Sequence, residues 1–415
     1  MDPINSQKPT HPDESKEIKL DTPWGVKLVL ALLLVADACV FPLGLSFDWA
    51  SRFVLPALAI CSFLAMVIKN RDLSIAFVML VPGALLWLVS GNYVLACVWV
   101  VILSLVGGAA YLLRTMPLWM WLIMPLVSYV ISLAAVGHAL RALASLIFFP
   151  AAFALHNSIS TAKSRTGSIA MTAAALLLSF VATGAIALYM ANGHLSMDTI
   201  QTTISDYRNL FQTQIQETLD SQIEMMSGMG YDLGVSSAQL AENLVTTLFN
   251  YIPGILILTT LVIGWCVQPM PFLLHQRIDP EAPVPVTARV LTFSPVTGIV
   301  YMISQLLGFV NSFAENPVLL VFANVALVLC PGLALHGLGY MFGRRALRRS
   351  GGRPVQGSSL PFIIFLVLIV MMLFGLVFAG YILVAFAFFG AYATIVTEIR
   401  KHLPKDEGPD NTSEL

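Results

Sequence analysis

Residues 92–113 read NYVLACVWVVILSLVGGAAYLL, a run of 22 residues without a charged side chain. A helix needs about 20 apolar residues to cross the roughly 30 Å hydrocarbon core of a bilayer, because it rises about 1.5 Å per residue. This run therefore predicts a membrane-spanning helix. Similar runs recur at 24–46, 50–68, 73–90, 117–136, 168–191, 248–270, 291–313 and 317–341.

The composition of the whole chain also indicates a membrane protein. Of its 415 residues, 57% are hydrophobic and 11% are charged, whereas soluble globular proteins carry about 25% charged residues. This composition excludes an ordinary soluble enzyme, and its hydrophobicity excludes a disordered chain. The 22 Lys and Arg residues balance 23 Asp and Glu. The chain thus has no basic field for nucleic acid, and its expected partner is the lipid bilayer.

Two further apolar stretches leave the number of spans open. Residues 139–156 are short for a span, and residues 360–399 are too long for one. Lys and Arg stay preferentially on the cytoplasmic side of short loops. We therefore place both termini inside, count 139–156 as one span and divide 360–399 into a hairpin near 378–380. This arrangement leaves 19 of the 22 Lys and Arg residues inside. The exceptions are Arg52, Arg141 and Arg208.

The sequence thus predicts an all-α polytopic bundle of about twelve spans in a bacterial inner membrane. Ten or eleven spans, with one re-entrant segment, is the alternative. A polar tail precedes the first helix group, a polar segment separates it from the second, and a second tail follows. The ranges are 1–23 (tail), 24–191 (first group), 192–247 (polar segment), 248–399 (second group) and 400–415 (tail).

The polar segment 192–247 predicts an extracytoplasmic helical hairpin. From Met197 to Met226 its apolar residues recur at steps of three and four, which is typical of an amphipathic helix. Gly228 breaks this helix, and Ser236 to Gln239 form a capping-box pattern at the start of the next one. The segment carries seven acids and one Arg. We expect it to pack on the bundle or to bind a protein partner through 198–226; a lid over an external opening is the alternative.

No motif in the sequence indicates an enzyme. It contains no phosphate-binding loop, metalloprotease motif or nucleophile elbow. Its five cysteines lie singly in apolar runs, which predicts neither disulfides nor a metal site. We therefore expect no enzyme activity, no metal and no cofactor.

Polar residues inside predicted spans are the candidate ligand-binding residues, because they are costly in hydrocarbon. Asp37 is an acid deep in an apolar run, and it predicts a proton, cation or ligand contact. The plainer alternative is a carboxyl group near the outer interface that is hydrated or hydrogen-bonded to a neighbouring helix. Gln305, Asn324 and His336 form a second candidate set, with interhelical hydrogen bonding as the alternative role. Small residues that predict close helix packing are Gly332, Gly339 and Gly343.

The second half of the chain resembles a known family. From Ala241 onward come an acidic amphipathic lead-in, a break at Tyr251–Gly254, a basic HQRIDPEAP loop and a final hairpin ending GAYATIVTEIRKHL. This layout resembles the bacterial YybS-like predicted membrane proteins, a family of unknown function. The resemblance implies a membrane protein and supplies no catalytic residues.

Two functions remain open from the sequence. The first is a transport-type protein that binds a small solute among kinked helices, through Asp37 and the Gln305, Asn324 and His336 set. The second is an assembly or envelope-organising protein that presents the acidic helical segment to a partner. The sequence predicts neither the substrate nor the oligomeric state.

Overall fold

The computed structural model describes residues 24–67, 74–161, 164–194, 196–228, 236–276, 293–314, 316–349 and 380–399. Within these ranges the chain is almost entirely helical and contains no strand, as expected where backbone groups must be satisfied without water. The helices are α1 (Trp24–Ser46), α2 (Leu55–Val67), α3 (Ser74–Ser90), α4 (Tyr93–Thr115), α5 (Leu118–Val136), α6 (Ala139–Ala142), α7 (Phe149–Ser160), α8 (Arg165–Asn192), α9 (Met197–Gly228), α10 (Ser237–Val267), α11 (Met270–Gln276), α12 (Pro295–Ala314), α13 (Pro317–Arg349) and α14 (Gly380–Ile399).

Eight helical stretches within the described ranges are long and apolar enough to span a membrane. This confirms the predicted membrane helical architecture. Three shorter apolar helices accompany them, and most of the predicted hairpin partner of α14 lies outside the described residues, as do the two tails. The number of twelve spans therefore stays a prediction. The eight are Trp24–Gly44, Ala50–Val67, Tyr93–Thr115, Ala139–Ser160, Arg165–Met190, Ser237–His275, Pro317–Tyr340 and Gly380–Ile399.

The stretch 139–156, whose role the sequence left open, lies in one of these eight candidates. It is not a single regular helix, because α6 passes through a 3-10 turn at Leu143–Leu146 before α7 begins at Phe149. Pro150 occupies the second position of α7, where a missing N–H costs no helical hydrogen bond. The proline thus starts a helix here rather than kinking one.

Helix α4 is the centre of the first helix group. In its most apolar 18-residue stretch, 67% of the residues are buried, the largest share among the eight candidate spans. Every residue from Trp99 to Leu113 is buried. The apolar run 92–113 therefore forms the most buried of the described candidate spans. The helices packed against it are α1, α2, α3, α7, α10 and α11.

In the structure the second helix group is smaller than its predicted range 248–399 and consists of α12, α13 and α14, because α10 and α11 contribute Ile263 and Met270 to the core of the first group. Its core is formed by Tyr301, Cys330 and Leu333 together with small residues such as Ala387 and Ala391 of α14. Helix α10 joins the two groups, because it packs on α8 and α4 on one side and on α13 on the other. The two groups have separate hydrophobic cores.

Helix α10 begins at the predicted capping box. Ser236 caps it by accepting a hydrogen bond from the Gln239 N–H at 3.3 Å, and α9 covers Met197–Gly228, after which the chain lies outside the described residues up to 235. The two helices contact each other through a 2.6 Å hydrogen bond from Arg208 to the Thr246 hydroxyl. The Phe211 and Phe249 rings also meet edge to face, with centroids 6.3 Å apart. Their side of the membrane stays a prediction.

Glycine packing between α13 and α14 differs from the prediction. No atom lies within 4 Å of the point where a Cβ at Gly339 would stand, so this position makes no close contact with the described residues. A Cβ at Gly337 would instead meet the α14 backbone, 2.7 Å from the Gly390 nitrogen. Gly337 and Gly339 are about 200° apart around the helix, so the described contact with α14 lies on a different face of α13 from Gly339. Gly332 does pack closely, against Phe293, and the surroundings of Gly343 lie outside the described side chains.

Candidate functional site

Asp37 is the acid that the structure buries inside the first helix group. Its relative exposure is 0%, and it lies beside the buried α1 residues Leu34 and Ala38 in a face that follows helical spacing. This burial keeps the carboxyl group away from solvent and accords with the other form of the plainer alternative, a hydrogen bond to a neighbouring helix. Both carboxylate oxygens accept from the Ser62 hydroxyl of α2, at 2.8 Å and 2.9 Å.

A second hydroxyl adjoins this carboxyl group from α4. The Ser104 side chain is close enough to Asp37 to act on it electrostatically. Its buried Oγ has no hydrogen-bond partner among the described groups. Asp37, Ser62 and Ser104 therefore bring α1, α2 and α4 together at one polar point in an apolar core. We call these three residues the Asp37 cluster.

Two glycines of α4 allow this close approach. A Cβ at Gly108, one turn after Ser104 on the same face, would lie 2.8 Å from Met66 of α2 and 3.1 Å from Leu34 of α1. A Cβ at Gly107 would lie 2.9 Å from the Met270 Cβ of α11. The Gly-Gly pair thus lets three helices pack on α4 beside the Asp37 cluster.

The Asp37 carboxylate has no cationic partner among the described residues. The one ion pair between described residues joins Asp48 and Arg52, at 2.8 Å in the connection between α1 and α2. Within the described ranges, Ser62 and Ser104 are the side chains that act on Asp37. An isolated ionised carboxylate is very costly to bury. The cluster therefore needs either a proton on Asp37 or a bound cation.

More hydroxyls continue from the cluster towards α5. Ser128 and Ser132 are fully buried, and the Cys39 thiol, two residues after Asp37, donates to the Ser128 carbonyl at 3.5 Å. The sequence analysis did not select Ser62, Ser104 or these α5 serines. The sequence does show these serines as single hydroxyl groups in apolar runs, and Ser104 also lies one turn before the pair Gly107-Gly108.

Asn324 lies in a different part of the molecule and bonds to the backbone of α10. Its Oδ1 accepts from the Gly254 N–H at 2.9 Å, and its Nδ2 donates to the Asn250 carbonyl at 3.0 Å. An unbroken α-helix joins these same two backbone groups to each other. Asn324 thus bonds to α10 on either side of Pro253, and Nδ2 also donates to the Leu320 carbonyl at 3.0 Å.

The structure does not gather the predicted ligand-binding residues into one site. Asp37 belongs to the first helix group, whereas Gln305 is on α12 and Asn324 and His336 are on α13. Asn324 and His336 are 12 residues apart, about 18 Å along the helix. His336 packs edge to face on Phe293, with centroids 5.7 Å apart, and Gln305 is half-buried.

A groove of about 390 Å³ lies beside Asn324, between α10 and α13. Its lining is almost wholly apolar and includes Pro253, Ile257, Val321 and Leu329. The Asn324 amide is already engaged with α10, so the groove offers a ligand little directional bonding. No group of three or more His, Cys, Asp and Glu residues within the described ranges could hold a metal ion. The Asp37 cluster, where a buried carboxyl group adjoins two hydroxyl groups, is the better candidate site.

Comparison with known proteins gives a family match. The model of a family described as predicted membrane protein (DUF2232) matches residues 84–382, which is more than half of the chain. The matched region contains Ser104, Asn324 and His336 and begins after Asp37 and Ser62. No curated protein and no solved structure matches the chain.

Proposed function

We propose that this chain, which belongs to the DUF2232 family of predicted membrane proteins, is a transport-type protein of the bacterial inner membrane. In this proposal it moves a small solute through the first helix group, and uptake of a cation at Asp37 drives the movement. The observation that carries the proposal is the fully buried Asp37 carboxyl group with no described cationic partner. Both termini are proposed to face the cytoplasm.

The chemistry of the Asp37 cluster supports a cation. Ionisable residues inside membrane helices commonly mark proton relays or ion pathways. One hydroxyl satisfies both Asp37 oxygens, although a carboxylate has about four lone-pair sites. Oxygen ligands suit protons and hard cations, and the Ser104 hydroxyl adds another oxygen. A cation held here would bind between three helices, and its release would change their packing.

A cation-binding experiment tests this proposal. The purified chain is melted in neutral detergent with Li⁺, Na⁺ or K⁺ salts against choline at constant ionic strength. A cation that binds only the folded state raises the melting temperature. We expect at least one metal ion to raise the melting temperature of the wild type. Alternatively, the wild type should carry protons into liposomes, in a cation-dependent way, as measured with an enclosed pH-sensitive dye. Asp37→Asn keeps a hydrogen-bond acceptor for Ser62 and should lose the response.

Asp48→Asn is the matched control, because it removes an acid whose partner is an exposed arginine. It should keep the wild-type response in both assays. Equal responses from wild type, Asp37→Asn and Asp48→Asn, or no response from any of them, would refute the Asp37 site. Cation binding without flux would leave a cation-stabilised protein and refute the transport role.

A second candidate function is the assembly role, and α9 favours it. Helix α9 packs mainly on α10 and has little contact with α8. Ile204, Tyr207 and Leu210 are exposed on it by 51%, 58% and 54%, which is typical of a surface that binds something. A photo-crosslinker at Tyr207 should then capture one specific protein, whereas one at the half-buried Leu219 should not. Equal capture at both positions would argue against it.

A further inference from the structure

A group of cationic side chains meets at one end of α4, the end predicted to face the cytoplasm. Arg114 lies in the last turn of α4, with its guanidinium carbon 5.8 Å from the Phe272 ring centroid. Lys27, near the start of α1, donates to the carbonyl of the next residue, Thr115, at 2.8 Å. Two positive side chains from different helices thus meet at the same helix terminus.

His156 of α7 joins this group. The Arg114 guanidinium is close enough to act on it electrostatically. The His156 Nδ1 is buried and has no described hydrogen-bond partner, while Nε2 lies 3.4 Å from the Ser160 hydroxyl. We call Lys27, Arg114 and His156 the α4-end cluster. Arg165, across the short α7–α8 connection, lies over the Trp265 ring in the same manner as Arg114 over Phe272.

No acid among the described residues balances the α4-end cluster. The described ion pair is that of Asp48 and Arg52, and no carboxylate within the described ranges acts on Arg114 or His156. The negative end of the α4 dipole offsets roughly half a charge. Lys27 and Arg114 together carry more than that, so the α4-end cluster keeps a net positive charge. A bound anion would neutralise this charge.

We propose that the α4-end cluster binds a phosphate group. Arginine presents a planar fork of donors that matches phosphate geometry, while lysine supplies a point charge. Aromatic rings under the guanidinium hold it in place without neutralising it. Arg114 itself remains exposed, so a ligand can reach it. Basic pockets between membrane helices on the cytoplasmic side commonly bind lipid headgroups.

Two sources can supply this phosphate: the headgroup of an anionic phospholipid, and a soluble phosphate compound. The proposal is independent of cation binding at Asp37, because it involves neither the same residues nor a charge of the same sign. Failure of one proposal would leave the other intact.

The test compares the two sources on the purified full-length chain in neutral detergent. In the first arm, phosphatidylglycerol is added to the micelles against the same amount of phosphatidylcholine. In the second arm, sodium phosphate is added against sodium chloride at equal ionic strength. The melting temperature is measured in both arms for wild type, Arg114→Gln and Arg114→Lys. Arg141→Gln is the matched control, because Arg141 is an exposed arginine outside the cluster.

We expect one of the two phosphate probes to raise the melting temperature of wild type and of Arg141→Gln. Arg114→Gln should need about tenfold more of that probe, because it loses hydrogen bonds to a charged group. Arg114→Lys, which keeps the charge and loses the fork, should fall between them. A response to phosphatidylglycerol identifies a lipid headgroup, and a response to sodium phosphate identifies a soluble compound.

The proposal is overturned if neither probe shifts the wild-type protein, or if Arg114→Gln and Arg141→Gln respond alike. If Arg114→Gln does not yield folded protein, Lys27→Gln takes its place. Lys27 is half-buried near the start of α1, and its removal should weaken the same response. An unchanged response of Lys27→Gln would then overturn the proposal in turn.

Discussion

The two helix groups solve the problem of packing polar backbones in lipid in different ways. In the first group, a Cβ at Gly108 of α4 would meet the flexible side-chain ends of Met66 and Leu34. In the second group, Gly337 and Gly390 bring the α13 and α14 backbones into direct contact. The first group encloses an acid, whereas Asn324, in the second group, bonds to the α10 backbone beside Pro253. The comparison indicates that Gly108 tolerates an added methyl group better than Gly337.

The largest expected effect is in the second group, at Gly337. A Cβ there would collide with the α14 backbone, which cannot move aside as a side-chain end can. We expect Gly337→Ala to lower the free energy of unfolding by about 3 kcal/mol, the upper end of typical overpacking penalties. Detergent titration of the folded fraction measures this. Gly339→Ala is the matched control on the same helix and should change stability by less than about 0.5 kcal/mol.

An intermediate effect is expected at Asn324. Asn324→Ala would remove the bridge between the Asn250 carbonyl and the Gly254 N–H, leaving both backbone groups to find new partners. Groups left unsatisfied in this way cost about 1–3 kcal/mol, so we expect a loss of about 2 kcal/mol. The same titration measures it, and Asn324→Gln tests whether the geometry matters as well as the amide. If Asn324→Ala were as stable as wild type, the Asn250 carbonyl and the Gly254 N–H of α10 would bond to each other without the Asn324 side chain.

The smallest of the three effects is expected in the first group, at Gly108. The added Cβ of Gly108→Ala meets the ends of the Met66 and Leu34 side chains, which can adopt other rotamers. We expect a loss of about 1 kcal/mol, against an unchanged value for Gly184→Ala, where no atom lies within 4 Å. If Gly108→Ala destabilised the protein as much as Gly337→Ala, the contrast between the two helix groups would disappear.

Much of the fold follows from hydropathy alone, because a bilayer leaves a chain few options. The run around 92–113 predicted α4 nearly to the residue, and the capping-box pattern predicted that α10 begins after Ser236. These elements depend on local composition and capping, which a single sequence displays. The same reasoning singled out Asp37, which the structure buries between helices.

Residue partnerships could not be predicted in this way. Ser62 is 25 residues from Asp37, and Asn250 is 74 residues from Asn324. No periodicity along one helix indicates which face of another helix it will meet. The same limitation explains the glycines of α13, where a four-residue spacing drew attention to Gly339 while the contact is made at Gly337.

Hydropathy along the chain is enough to predict a bundle of apolar helices, because lipid requires every spanning backbone to satisfy its hydrogen bonds internally. The positions of the few charged residues are equally plain from the chain. Which polar groups contact one another depends on the folded molecule. Ser62 bonds to the Asp37 carboxylate, Asn324 bonds to the α10 backbone beside Pro253, and Lys27 bonds to the carbonyl of Thr115 at one end of α4. These contacts depend on the rotation and crossing of neighbouring helices, which side-chain volumes set together across the whole core.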